Sequence, residues 1–258
     1  MMGEGEDRVA VVTGGSSGIG LSVCETLLSK GYKVAFFGKK TEHVADALEH
    51  LILRHGVANV MGRSLDVSLA SQVETFFEEV TACWHAPDTL VCSAGISPKA
   101  ALGPDDCIDL DLEQWQRVLA VNLTGVMLCC RQVSAPMIAS GFGRIIMVGS
   151  IAGRTQPKIA GTAYCATKSA LSGLMRSLMV QTAGHGITVN LVAPGRIVTP
   201  MTGPIDHPVN QAAIGRIPVG RLGQPGDIAH AIAFLASRKA GFINGAVIDV
   251  NGGEFSPP

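Results

Sequence analysis

The chain has 258 residues, of which 47% are hydrophobic and only 16% charged, with a formal net charge of −1 at pH 7. That composition supplies a large core and excludes a disordered chain. The near-neutral charge gives no electrostatic case for binding nucleic acid or an anionic membrane.

Residues 9–13 are an apolar, mostly β-branched run and read as a buried strand. Glycines and serines at 14–18 force a tight turn. Ile19, Val23 and Leu27 then recur at helical spacing, so a helix starts near Gly18. Strand, glycine-rich turn and helix aim free backbone N–H groups at a phosphate. Gly14, Gly18 and Gly20 let the backbone approach a pyrophosphate and let the helix pack close to the strand. The same turn matches the G-x-S-x-G elbow of hydrolases. That elbow normally follows several strands and an oxyanion loop, whereas eight residues precede this strand. A glycine-rich turn without any ligand is the plain alternative.

Further strands are expected at 33–38, 57–65, 89–92, 143–149, 187–193 and 246–250. Val44, Ala47, Leu48, Leu51 and Ile52 mark one helix face, and Val73, Phe76, Phe77 and Val80 the next. Residues 112–140 read as a helix bent near 122–125 and at Pro136. Helices follow at 163–184 and 227–237, while 97–111 and 199–218 read as irregular. Alternating strands and helices predict an α/β fold: a single domain over 1–258, with a Rossmann-type doubly wound sheet of seven parallel strands and helices on both faces. Ligands of such a sheet bind beyond the carboxyl ends of its strands.

Seven cysteines (Cys24, Cys83, Cys92, Cys107, Cys129, Cys130 and Cys165) are scattered and form no C-x-x-C pair. They read as reduced thiols of a cytoplasmic protein, and no metal site is expected. Residues 1–7 are acidic and glycine-rich, unlike a signal peptide. With no run of about 18 apolar residues, no membrane span is expected.

Tyr164 and Lys168 stand four apart on a predicted helix and share a face, while Ser150 lies at the tip of the fifth strand. A phenol titrates at about 10 in the free state, and a neighbouring ammonium lowers that value. A proton donor, its activator and an orienting hydroxyl are what hydride transfer to a ketone needs. A surface Tyr–Lys pair and a turn serine are the plain alternative.

The joint order of these motifs resembles the short-chain dehydrogenase/reductase family over nearly the whole chain. The motifs are Thr13-Gly14-x-x-x-Gly18-x-Gly20, Asp66-Val67, Ala94-Gly95, Val121-Asn122, Ser150, Tyr164-x-x-x-Lys168, Asn190, and the stretches 194–200, 220–225 and 244–253. The resemblance implies an NAD(P)-dependent oxidoreductase acting on CH–OH donors. It implies Tyr164 as general acid in reduction and base in oxidation. Lys168 would lower the Tyr164 pKa and bind the nicotinamide ribose, Ser150 would position the substrate oxygen, and Asn122 would hold a relay water. The implied cofactor contacts begin with Gly14, Ser16, Ser17, Gly18, Ile19 and Gly20 at the phosphates and adenosine. They continue with Gly38 and Lys39 after the second strand, Asp66 and Val67 at the adenine, and Ala94 and Gly95 near its ribose. Pro194, Gly195, Ile197 and Thr199 would flank the nicotinamide, beside Tyr164 and Lys168. Two departures stand out. Cys92-Ser93-Ala94-Gly95 replaces the family's usual Asn-Asn-Ala-Gly. The Ser150–Tyr164 interval is one residue longer than in many relatives, which brings Arg154, Gln156, Pro157 and Lys158 beside the substrate.

An acidic residue ending the second strand would select NAD through the ribose 2′-OH. This chain has Gly38 there, followed by Lys39 and Lys40. NADP(H) is therefore expected over NAD(H), with Lys39 at the 2′-phosphate. Two solvated lysines opening a loop are the alternative, and Ser17 stands where a second arginine would help. The substrate loops are expected at about 97–111 and 196–218, with Arg196, Met201, Ile205, His207 and Pro208 as candidates. The pattern is similar to 3-oxoacyl-[acyl-carrier-protein] reductases. Those relatives tend to carry carrier-docking arginines where this chain has Ala135 and Val180. A small free ketone or alcohol is the expected partner. A fatty-acid-type 3-oxoacyl-thioester reductase, an NAD-dependent alcohol or polyol dehydrogenase, and a non-catalytic dinucleotide-sensing scaffold are the alternatives. Family habit, with Val126, Met127, Leu174, Leu178 and Met179 on the long helices, predicts a homotetramer.

Overall fold

The computed structural model describes residues 8–98, 107–108, 110–156 and 158–257. Strand β1 (Val9–Thr13) is buried at every residue. Its side chains alternate, with Val9 and Val11 entering one core cluster and Ala10 and Val12 the other. β2 (Lys33–Gly38), β3 (Val60–Ser64), β4 (Thr89–Cys92), β5 (Gly143–Val148), β6 (Ile187–Pro194) and β7 (Val247–Val250) complete one sheet in the order β3-β2-β1-β4-β5-β6-β7. Every pairing is parallel. The strand order reverses between β1 and β4, which opens a crevice at their carboxyl ends.

Helices cover both faces, as the alternation requires. α1 (Gly18–Leu28), α2 (Thr41–His55) and α8 (Pro225–Ala236) bury Leu27, Leu51 and Ile232 in one cluster. α3 (Ala70–Cys83), α5 (Gly125–Ser140) and α6 (Thr162–Gln181) bury Phe76, Val133 and Leu171 in the other.

Several expected boundaries move. The third strand loses its first turn, because Gly56 adopts φ 85 and residues Val57–Asn59 form a 3-10 turn. The predicted bend in the helix over 112–140 is a change of winding. α4 (Leu112–Leu119) passes into a π turn at Ala120–Thr124, where the Gly125 N–H donates to Ala120 O, and continues as α5 with Pro136 inside it. The segment read as irregular at 199–218 contains α7 (Pro208–Ile214), with a proline in its first turn and the His207 side chain accepting from Val209 N–H. Leu112–Ser140 is 29 residues long and contains an 18-residue window with a mean hydropathy of 1.4. In this fold it is a core helix, with Val126, Leu128, Cys129, Cys130, Val133 and Met137 all buried. All seven cysteines are free, and no metal-binding cluster occurs among the described residues.

Candidate active site

The loops after β1, β2, β4, β5 and β6 enclose a cleft of about 1190 Å³. The phosphate-type loop is shaped by steric necessity. Gly14 has φ 68, and a Cβ on it would lie 2.9 Å from Ala94 Cα. A Cβ on Gly20 would lie 2.2 Å from the Gly14 carbonyl oxygen, so α1 can approach only as glycine. Thr13 Oγ1 accepts from the N–H groups of Ser93 at 3.0 Å and Ala94 at 2.9 Å, which fixes the β4 loop against β1. Ser17 precedes α1 and makes no side-chain cap bond. The open N-terminus of α1 and the glycine cradle beside it fit a dinucleotide pyrophosphate. Gly38 faces Ser16, whose Oγ a Cβ would meet at 2.3 Å. On the far wall, Gly18 lies close to the Thr199 side chain, bringing the β6 loop over the phosphate loop.

At the end of β2 the arrangement differs from the expected free cation. Lys39 Nζ is 2.5 Å from Asp66 Oδ2. Asp66 Oδ1 also accepts from Ser68 N–H at 3.0 Å and Ser68 Oγ at 2.6 Å. Burial works against ionising Asp66, but the Lys39 and Ser68 hydrogen bonds outweigh it and hold the carboxyl below its usual range. Lys39 therefore carries a carboxylate partner, although its side chain remains mostly exposed.

Ser150 follows β5 and opens the short turn Ile151–Gly153, its Oγ accepting from Ala152 N–H at 3.1 Å. It also hydrogen-bonds Tyr164, one turn into α6. Burial raises the Tyr164 pKa above 10, and the Ser150 bond only partly offsets it. Lys168 is buried, donates from Nζ to Val148 O at 2.7 Å, and lies 5.6 Å from the Tyr164 ring centre. Its own pKa is lowered from 10.5 to about 8, chiefly by burial. Asn122, in the π turn, is fully buried and does not line the cleft. Its Oδ1 accepts from Ile96 N–H at 2.8 Å, and its Nδ2 donates to Ile96 O at 2.9 Å and Thr167 Oγ1 at 3.3 Å.

All the other expected catalytic and cofactor residues line this one cleft. Of the substrate candidates, Arg196, Met201, Gln156 and Lys158 line it, while Ile205, His207, Pro208 and Arg154 do not. His207 caps α7. Arg154 is ion-paired with Asp249 and stacks 5.4 Å from the Phe255 ring. Pro157 and residues 99–106 and 109 of the expected substrate loop lie outside the described residues. Arg117, Arg216 and Glu254 also line the cleft and carry no motif by which the sequence could flag them.

A doubly wound sheet with this cradle at its switch point is the architecture of a dinucleotide-binding protein. A family model described as Enoyl-(Acyl carrier protein) reductase matches residues 14–254. The chain is 38% identical to a cis-4-hydroxycyclohexanecarboxylate dehydrogenase of Sinomonas cyclohexanicum, covering 98% of each. It is 36% identical to the 3-oxoacyl-[acyl-carrier-protein] reductase FabG of Escherichia coli (strain K12), covering 97% of this chain and 98% of that one. A solved 3-oxoacyl-[acyl-carrier protein] reductase from Brucella melitensis with bound NAD matches with a TM-score of 0.90 at 30% identity, over 97% of this chain and 92% of that one. The chain belongs to the short-chain dehydrogenase/reductase family and is an NAD(P)-dependent enzyme of that family.

Proposed function

We propose that the chain transfers a hydride between NADP(H) and a small free ketone or secondary alcohol, with Tyr164 as general acid and base. The observation that carries this reading is the meeting of Ser150, Tyr164 and Lys168 on the cleft that the glycine loop enters. A bound nicotinamide supplies or accepts the hydride. The Ser150 and Tyr164 hydroxyls exchange their mutual hydrogen bond for two bonds donated to one substrate oxygen. Burial keeps the phenol protonated near neutral pH, ready to give its proton to the oxygen as negative charge develops there. Lys168 stands behind the phenol as a buried cation in reach of a ribose hydroxyl. Asn122 acts as a positioning residue, holding the Ile96 backbone that forms the adjoining wall.

The NADP(H) preference rests on the end of β2, where Lys39 and Lys40 line the cleft together with Asp66, the carboxylate partner of Lys39. A 2′-phosphate would compete with Asp66 for the Lys39 ammonium, and an exposed ion pair yields at little cost. The small-substrate preference rests on Ala135 and Val180, both exposed and uncharged, and on the cyclic hydroxy acid in the name of the Sinomonas relative. Titration with NADPH and NADH, followed by nicotinamide fluorescence, tests the cofactor. Tighter NADPH binding that Lys39→Asp reverses is expected. Tighter NADH binding, or a preference indifferent to Lys39→Asp, would contradict it. The same reading takes the enzyme as a cytoplasmic homotetramer.

A further inference from the structure

Among the described residues lining the cleft, Arg117, Lys158, Arg196 and Arg216 stand with the carboxylate of Glu254, in addition to the Lys39–Asp66 pair at the end of β2. Two of these cations are engaged by the protein. Arg196 donates from Nε to Asn210 Oδ1 at 2.8 Å and from Nη2 to Thr202 O at 3.3 Å. Arg216 Nε lies 3.3 Å from Glu254 Oε1, and its Nη1 donates to Ala212 O at 2.9 Å. Arg117 on α4 and Lys158 in the Ser150–Tyr164 connection line the same cleft, and neither is in any ion pair or side-chain hydrogen bond found among the described residues.

Exposed cations on the wall of a partly apolar cleft focus an attractive field on anions entering it. Such a pair contributes nothing to a neutral ketone and favours one that carries negative charge. We propose that the substrate is a ketone or secondary alcohol bearing a carboxylate, which Arg117 and Lys158 receive while the reacting carbon lies at Tyr164. Apolar residues line the same cleft, among them Val121, Ile159 and Met201, and suit the carbon skeleton that separates the two groups. The proposal rests on the reductase reading and narrows it. A thioester of an acidic carrier is the other source of negative charge, and the exposed, uncharged Ala135 and Val180 disfavour it.

The test measures kcat/KM for 4-oxocyclohexanecarboxylate, for its methyl ester and for acetoacetyl-CoA, in the wild type and in the double variant Arg117→Gln, Lys158→Gln. The acid-to-ester ratio is its own control for folding, since both ketones report on one enzyme. The wild type is expected to prefer the acid by about tenfold or more, the scale of one well-made charge-assisted hydrogen bond. The ratio should collapse toward one in the double variant and shrink with added salt. An acid-to-ester ratio near one in the wild type, an unchanged ratio in the double variant, or preference for the thioester would each overturn the carboxylate proposal while leaving ketone reduction intact. Turnover of none of the three with either cofactor would overturn the reductase reading together with it.

Discussion

The Lys168 ammonium is buried with the Val148 carbonyl as its hydrogen-bond acceptor, and burial brings its pKa from 10.5 to about 8. A folded-state value below the unfolded one means that the charged lysine opposes folding at neutral pH. That penalty is fully present below about pH 8 and fades as pH rises toward the unfolded value. Lys168→Met is therefore predicted to be more stable than the wild type at pH 7, by up to roughly 3 kcal/mol. The gap should close as pH rises through this window, and thermal melts across it check the slope. A gap that stays constant with pH would contradict the account. A cation kept at such a cost beside Tyr164 agrees with the role proposed for Lys168. The Tyr164–Lys168 spacing was legible in the sequence because helical geometry fixes it. The pairing of Lys39 with Asp66 was not. These residues are 27 apart in the chain and meet only because β2 and β3 align Gly38 with Ser64.

The π turn at Ala120–Thr124 shows what one extra residue in a helical turn accomplishes. Its Asn122 reaches both backbone groups of Ile96 and so ties the α4–α5 helix to the loop after β4. Asn122→Ala leaves the Ile96 N–H and C=O without these partners and should cost about 1–3 kcal/mol in chemical denaturation. Cofactor affinity should fall with it. A stability loss with cofactor binding untouched would mean that the tie does not shape the cleft. Sequence periodicity marked this place as a bend, since Asn122 to Gly125 interrupts good helix formers, but a break and a change of winding look alike in a residue pattern. β1, β2 and β4 were legible because short apolar runs between turn residues have few other readings. α7 was missed because a seven-residue helix among prolines and glycines leaves too short a periodic signal. Glycine spacing in the first loop was legible for a steric reason: Gly14 and Gly20 meet backbone atoms that cannot move aside.

At the scale of the whole molecule, one sheet with helices on both faces places a chemically equipped crevice where its strand order reverses. The helices expected to form an oligomer interface are largely used inside the protomer. Val126 is buried, and Leu174, Leu178 and Met179 pack against the core. Met127 and Val180 remain exposed at 39% and 70%. A homotetramer should appear in light scattering as four chains, and a concentration-independent monomer would rule it out. The central claim, that Tyr164 moves the proton while a nicotinamide moves the hydride, is tested most directly by comparing the wild type with Tyr164→Phe. Both proteins are given NADPH and a cyclic ketone, with cofactor binding measured separately. The account predicts stoichiometric oxidation of NADPH to alcohol by the wild type, and a variant that binds NADPH equally well but loses kcat by about 10²–10⁴-fold. A Tyr164→Phe variant with kcat close to the wild type would contradict it.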